Sequence, residues 1–237
     1  VINLADNTIE AYLPTYLPDI RPPTASRQLK RIPVLLNTIS IHTHAAAMPE
    51  SRSKHPLVWI DCEMTGLDTS KDTIMSLACF VTDYELNMLD EGYEATIHHS
   101  REQLDQMGEW CTSHHRDSGL TQACLDSTTT AQQASDELLA YIQSHCPERK
   151  KALLAGNTVH ADQRFLRADP WRPVVSWLHH RIFDVSAIKE AAKRWAPLEV
   201  IKQSPAKAGK HEAKADILES IAEAKYYKDM FFAPKAE

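Results

Sequence analysis

Two acidic residues spaced i, i+2 close an apolar run: Leu57-Val58-Trp59-Ile60 leads into Asp61-Cys62-Glu63, then Met64-Thr65-Gly66-Leu67. Alternate residues of a strand point to the same face, so Asp61 and Glu63 present their carboxylates side by side. Adjacent anions oppose each other's ionisation unless a cation or a shared proton compensates. Two further acids suit the same place. Asp162 follows a short apolar run by a few residues, near a helix start, and ligand sites in open α/β sheets gather just beyond such strand ends. Asp216 falls in the first turn of the last expected helix, with His211 five residues before it. Five residues rotate by about 140° on a helix, so His211 belongs on the preceding loop rather than on the Asp216 face. Oxygen donors without a thiolate select hard cations, Mg²⁺ or Mn²⁺, and a pair held about 3.5–4 Å apart suits in-line phosphoryl displacement.

These residues need a frame. Leu57–Ile60 reads as a strand buried on both faces, followed by strands at Thr73–Thr82 and Tyr93–His98 with a turn near Glu85-Leu86-Asn87. Glu102–His115 and Ala131–Cys146 read as helices, the second with Ser127 or a following Thr as cap, and Thr121–Leu125 as a helical turn. Ala152–Ala155 reads as a strand entering a helix with Asp162, Phe165 and Leu166. Pro170 and Pro173 are expected to make a loop, and Arg181–Val185 a last strand. Ser186 is expected to cap a helix to about Trp195, Pro197–Gly209 to form a loop, and Ala213–Lys228 a final helix. The layout is α/β, with an antiparallel first part and parallel later strands.

The 237 residues, 43% hydrophobic and 24% charged, suit one sizeable domain with an extension. A formal charge of −6 argues against a long basic groove for extended nucleic acid, though not against a few local phosphate contacts. Five cysteines lack a CxxC pair, which suggests neither a disulfide framework nor a structural zinc site. The His pairs at 98–99, 114–115 and 179–180 do not alter that, since neighbours on a strand point apart and no Cys joins them. No apolar run approaches the roughly 20 residues that cross a bilayer, so no membrane partner is expected. Residues 1–55 form an expected poorly ordered extension, 56–232 the domain and 233–237 a short tail. Between Asp19 and Glu50 the chain is basic, hydroxyl-rich and free of acids, the composition of an organelle transit segment at about 21–47. A plain disordered tail fits the same composition. Mitochondrial location, cytoplasmic location or both are the expectations.

Three ordered stretches carry a resemblance. Trp59 to Leu67, then Ala155-Gly156-Asn157-Thr158-Val159-His160-Ala161-Asp162-Gln163-Arg164-Phe165-Leu166, then His211 with Asp216 to Ile221, resemble the three motifs of the oligoribonuclease family. These are DEDDh exonucleases of the RNase H-like superfamily. Lesser matches lie at Glu109-Trp110, Ser118 to Leu120, His179, Arg181, Asp184 to Ser186, Lys189-Glu190 and Arg194-Trp195. The resemblance spans about residues 56 to 232. It implies a mixed five-stranded sheet with antiparallel first strands flanked by helices. It also implies 3′-to-5′ hydrolysis of very short RNAs, dinucleotides above all, to nucleoside monophosphates. Carried over, Asp61, Glu63, Asp162 and Asp216 hold two divalent ions and His211 is the general base. Leu67 is the wedge between bases, and Trp110 lies on the substrate side. His115, Thr158, Arg181 and Ser186, with Lys189 as a further candidate, serve the substrate and its 5′-phosphate, partly across a homodimer. His180 stands where relatives carry the Tyr that reaches the partner's substrate. Ser76 replaces a Glu, Ala215 an Asp, and the Asp169-Pro-Trp-Arg-Pro segment departs from the pattern. Asp184, by contrast, reads as a capping or ion-pairing residue. An exonuclease for longer RNA or DNA ends, and an inactive nucleic-acid-binding relative, are the alternatives.

Overall fold

The computed structural model describes residues 55–206 and 212–232; residues 1–54 of the expected extension and the tail at 233–237 lie outside them. The elements run β1 (Leu57–Met64), β2 (Ile74–Thr82), β3 (Tyr93–Thr96), α1 (Arg101–Leu104), α2 (Glu109–Asp117), α3 (Leu120–Asp126), α4 (Ala131–His145), β4 (Leu153–Gly156), α5 (His160–Leu166), α6 (Arg172–Trp177), β5 (Ile182–Asp184), α7 (Val185–Trp195), α8 (Leu198–Lys202) and α9 (Ala213–Phe231). The five strands form one sheet in the order β3-β2-β1-β4-β5. The β1–β2 and β2–β3 pairs are antiparallel, and β1–β4 and β4–β5 parallel. The sheet is therefore mixed, and β1 is its centre.

Alternation along β1 assigns its two faces. Val58, Ile60, Cys62 and Met64 enter one apolar layer with Leu138 and Ile142 of α4 and Phe165 and Leu166 of α5. Trp59 enters the other, with Ala78 and Phe80 of β2 and Ile217, Ile221 and Ala224 of α9. Period two puts Asp61 and Glu63 on the Trp59 face, at the end of the strand. The Trp59 indole donates to Thr82 Oγ1 at 3.0 Å, which satisfies the one polar atom of a large buried side chain.

Several local expectations are corrected. Glu102–His115 is two helices: the Ser100–Gln103 capping box starts one short turn, and Gly108, extended at ψ 160°, starts the next. Pro170 to Pro173 does not remain a loop, because a proline is tolerated in the first helical turn and α6 begins at Arg172. Asp184, not Ser186, caps α7, accepting from Ser186 N at 3.0 Å. Thr130 caps α4. The expected loop from Pro197 contains α8 in its first half, while residues 207–209 lie outside the described chain.

Candidate metal and catalytic site

The parallel strands β1, β4 and β5 end on one side, and the acids gather there. Pairing of β1 with β4 runs to Trp59↔Ala155, and beyond it the Cys62 N–H turns to a side chain. Asp162, in the first turn of α5, accepts that N–H on its Oδ1 at 3.0 Å. From the other face, the first turn of α9 brings in Asp216. One ligand oxygen from each of Asp61, Glu63 and Asp216 lies within 4.8 Å of the others. Asp162 borders this trio through the Cys62 backbone.

The electrostatics follow from geometry. Asp61, Glu63 and Asp162 are all buried. Burial, then the neighbouring Asp162, Glu63 and Asp216, pushes the Asp61 carboxyl well above the usual carboxylate range. Burial, with Asp216 and Asp162 adding to it, raises Glu63 to about 7. Burial, with Asp184 adding to it, raises Asp162 to about 7. Oδ2 of Asp61 and Oδ2 of Asp162 are buried and have no hydrogen-bond partner among the described residues. Like charges out of water with lone pairs unspent are costly, and a divalent cation removes the cost. An all-oxygen donor set of this kind fits a hard divalent cation.

The turn after β1 projects beside the acids. Thr65 N donates to Thr73 O at 3.0 Å, and Asp72 accepts from Thr65 Oγ1 at 3.2 Å and Asp68 N at 2.8 Å. A Cβ on Gly66 would stand 2.4 Å from Asp72 Oδ2, so a larger residue there would push the Asp72 carboxylate away from Thr65 and Asp68. The turn leaves Leu67 49% exposed, so it does not belong to the core. Trp110, equally exposed, stacks on His114 with ring centroids 4.6 Å apart. His115 is buried, and its Nε2 donates to Met64 O at 3.0 Å. A groove of about 410 Å³ opens beside Glu63, over Ser76 and Thr96 and between Gly119 and Ala213.

Thr158 and Ser186 also meet at the carboxylate end: the Thr158 N–H is shared by Asp184 Oδ1 and Ser186 Oγ, each at 2.9 Å. His180 and Arg181 do not. They precede β5, and register places Ile182 beside Leu154 and hence level with Val58. Arg181 is thus level with Leu57, roughly 13 Å back along the sheet from Asp61 at 3.3 Å per residue. His211 lies outside the described residues; α9 starts at Ala213 with Glu212 as its cap.

Sequence reasoning passed over Asp72, Asn157 and Glu223 as site-shaping residues. Asp72 carried a weak signal, an acid a few residues after a Thr-Gly turn. Asn157 stood inside a recognised motif without an assigned task. Glu223 had no local signal, because its partners are distant in sequence.

Comparison with known proteins accords with this arrangement. A family model described as Exonuclease matches residues 58–224. A probable oligoribonuclease of Schizosaccharomyces pombe is 45% identical over 185 residues, 77% of this chain and 71% of that protein. The mitochondrial oligoribonuclease of Homo sapiens is 44% identical over 194 residues, 81% of this chain and 80% of that one. The oligoribonuclease of Corynebacterium glutamicum is 44% identical over 176 residues, 74% and 80% of the two chains. Among solved structures, the zinc-bound E. coli exonuclease I–ssDNA complex matches with a TM-score of 0.55 at 17% identity. That match covers 75% of this chain but only 41% of the exonuclease I chain, a likeness of fold. From the family match, the level of identity and the shared fold, the chain belongs to the exonuclease family and, within it, to the oligoribonucleases.

Proposed function

We propose that this protein is a 3′-to-5′ exoribonuclease that hydrolyses short oligoribonucleotides, dinucleotides included, to nucleoside 5′-monophosphates. The observation that carries this reading is the convergence of Asp61, Glu63 and Asp216 within 4.8 Å, in a chain 45% identical over 185 residues to a probable oligoribonuclease. Asp61, Glu63, Asp162 and Asp216 would hold the cations, Mg²⁺ or Mn²⁺, two in number. When bound, these ions supply Lewis-acid polarisation of the scissile phosphate and a water of lowered pKa.

The remaining work falls to the chain's own side chains. His211 takes the proton from the attacking water, a task suited to an imidazole whose ordinary pKa lies near neutrality. Leu67 inserts between bases and Trp110 offers an aromatic face for stacking. His115, fixed by its bond to Met64 O, and the hydroxyls of Thr158 and Ser186 meet the sugar and phosphate. His180 and Arg181 stand too far back along the sheet to serve their own chain's site. In a homodimer they would serve the substrate of the second copy, with Arg181 and Lys189 candidates for the terminal phosphate. Recognition through one end and two bases needs few cations, in keeping with a formal charge of −6.

A mitochondrial location is proposed from the basic, acid-free stretch at 21–47 and from relatives named as mitochondrial oligoribonucleases in Bos taurus, Mus musculus and Homo sapiens. Among the described residues no helix is long and apolar enough to cross a membrane. The functional test is turnover of 5′-labelled RNA from two to about ten nucleotides with Mn²⁺, beside a long RNA and a DNA of equal sequence. The dinucleotide is expected to be cleaved fastest, with monophosphate products. Equal rates on long RNA or DNA would assign the chain to the longer-substrate alternative.

A further inference from the structure

A relay of hydrogen bonds leaves the carboxylate cluster and returns to the substrate side through one amide. Glu223, deep in α9, is buried, with 2% of its side chain exposed. Its Oε1 pairs with Lys189 Nζ at 3.0 Å and accepts from Tyr227 at 3.4 Å. Its Oε2 accepts from Asn157 Nδ2 at 3.1 Å. The same Nδ2 donates to Ser220 Oγ at 2.8 Å, and Ser220 Oγ donates to the Asp216 backbone carbonyl at 2.7 Å. On its other side Asn157 Oδ1 accepts from Ser186 Oγ at 3.0 Å.

The directions around Asn157 follow from its partners. The Glu223 carboxylate, facing Lys189, accepts, so the amide nitrogen faces Glu223; the Ser220 proton is already spent on Asp216 O, so Ser220 accepts from Asn157. The amide oxygen is then left for Ser186, whose oxygen accepts the Thr158 N–H in turn. Thr158 has φ +56°, a left-handed conformation rare for a β-branched residue, held by its bonds to Asp184 and Ser186.

We propose that Asn157, oriented by the buried Glu223, is a positioning residue that sets two things at once: the place of the Asp216 turn in the cation cluster, and the place of Thr158 and Ser186 beside the substrate. The inference rests on the proposed function, since it takes Asp216 as a cation ligand and Ser186 as a substrate contact. A general structural role would lower stability without separating the two ends. A two-ended tie does separate them, because Ser220 lies on one arm and Ser186 on the other.

The test combines Mn²⁺ titration calorimetry without RNA and steady-state kinetics on a diribonucleotide at saturating Mn²⁺. Asn157→Ala is expected to weaken Mn²⁺ affinity and to raise KM, each about tenfold, the size of effect seen when a supporting partner of a metal site is removed. Ser220→Ala is expected to weaken Mn²⁺ affinity with KM held, and Ser186→Ala to raise KM with Mn²⁺ affinity held. Should Asn157→Ala fail to fold, the two serine variants still read the two arms. Unchanged affinity and KM in Asn157→Ala, or both serine variants altering the same quantity, would overturn the inference. Absence of Mn²⁺ uptake by the wild-type protein would instead overturn the proposed function.

Discussion

Glu223 and Asp162 are each 1% exposed, yet they are buried in opposite ways. Glu223 has a lysine, an amide and a phenol around its two oxygens. Asp162 has one backbone N–H on Oδ1 and no hydrogen-bond partner for Oδ2 among the described residues, with the acids of β1 beside it. Burial therefore does not distinguish a structural acid from a functional one. The partner does: a buried carboxylate paired within the chain is tied into the fold and costly to unpair, while buried carboxylates facing one another must hold protons or take up a cation.

Substitution should separate the two regions. Asp162→Asn keeps an oxygen to accept the Cys62 N–H but removes a charge from the cation cluster. Its hydrolysis rate is expected to fall by about a thousandfold, the scale of losing one main electrostatic contribution to a transition state. Its circular dichroism and melting without metal should match the wild type or show a higher melting point. Wild-type rates in this variant would remove Asp162 from the site. Glu223→Ala is expected to lower stability, which Asp162→Asn does not, besides loosening the Asn157 tie. It deprives Lys189 and Asn157 of their acceptor and opens a cavity, at a cost of about 2–3 kcal/mol in urea unfolding, below the range for a fully buried pair because 34% of the Lys189 side chain is exposed. A loss under about 0.5 kcal/mol, the scale of an ordinary surface substitution, would mean that the partnered acid is not structural.

The same contrast explains what was legible in the sequence. Alternation along Leu57–Glu63 was sufficient to place Asp61 and Glu63 on one face, because a buried central strand has a strict period of two. Asp216 was legible through its place in the first turn of a helix with Ile217, Ile221 and Ala224 along one stripe, and Asp162 through its position past a short apolar strand. The break at Asp105–Gly108 was missed because the apolar spacing runs across it and only Gly108 marks the restart. The helix at Arg172 is hidden from the sequence because prolines signal breaks, although the first turn accepts them. Ser186 has the residue type of a cap, whereas Asp184 two residues earlier reaches its N–H and leaves the hydroxyl for Asn157. The Asn157–Glu223 tie spans 66 residues; no local pattern encodes a contact that exists only after β4 and α9 have packed.

The central claim is that the acids at the head of β1 are held for a cation, and melting with and without Mn²⁺ at two pH values tests it most directly. Without metal, Glu63 and Asp162 stay protonated in the folded protein up to about 7, while in the unfolded chain they ionise near 4. Between those values the folded state binds more protons, so these groups make stability fall as pH rises through the window and level off above it. Mn²⁺ must displace those protons to bind, so its stabilisation grows across the same window. The account predicts a larger Mn²⁺-induced rise in Tm at pH 7.5 than at pH 5.5, lost in Asp61→Asn and retained in Glu223→Gln. An equal rise at both pH values, or one that survives Asp61→Asn, would contradict it.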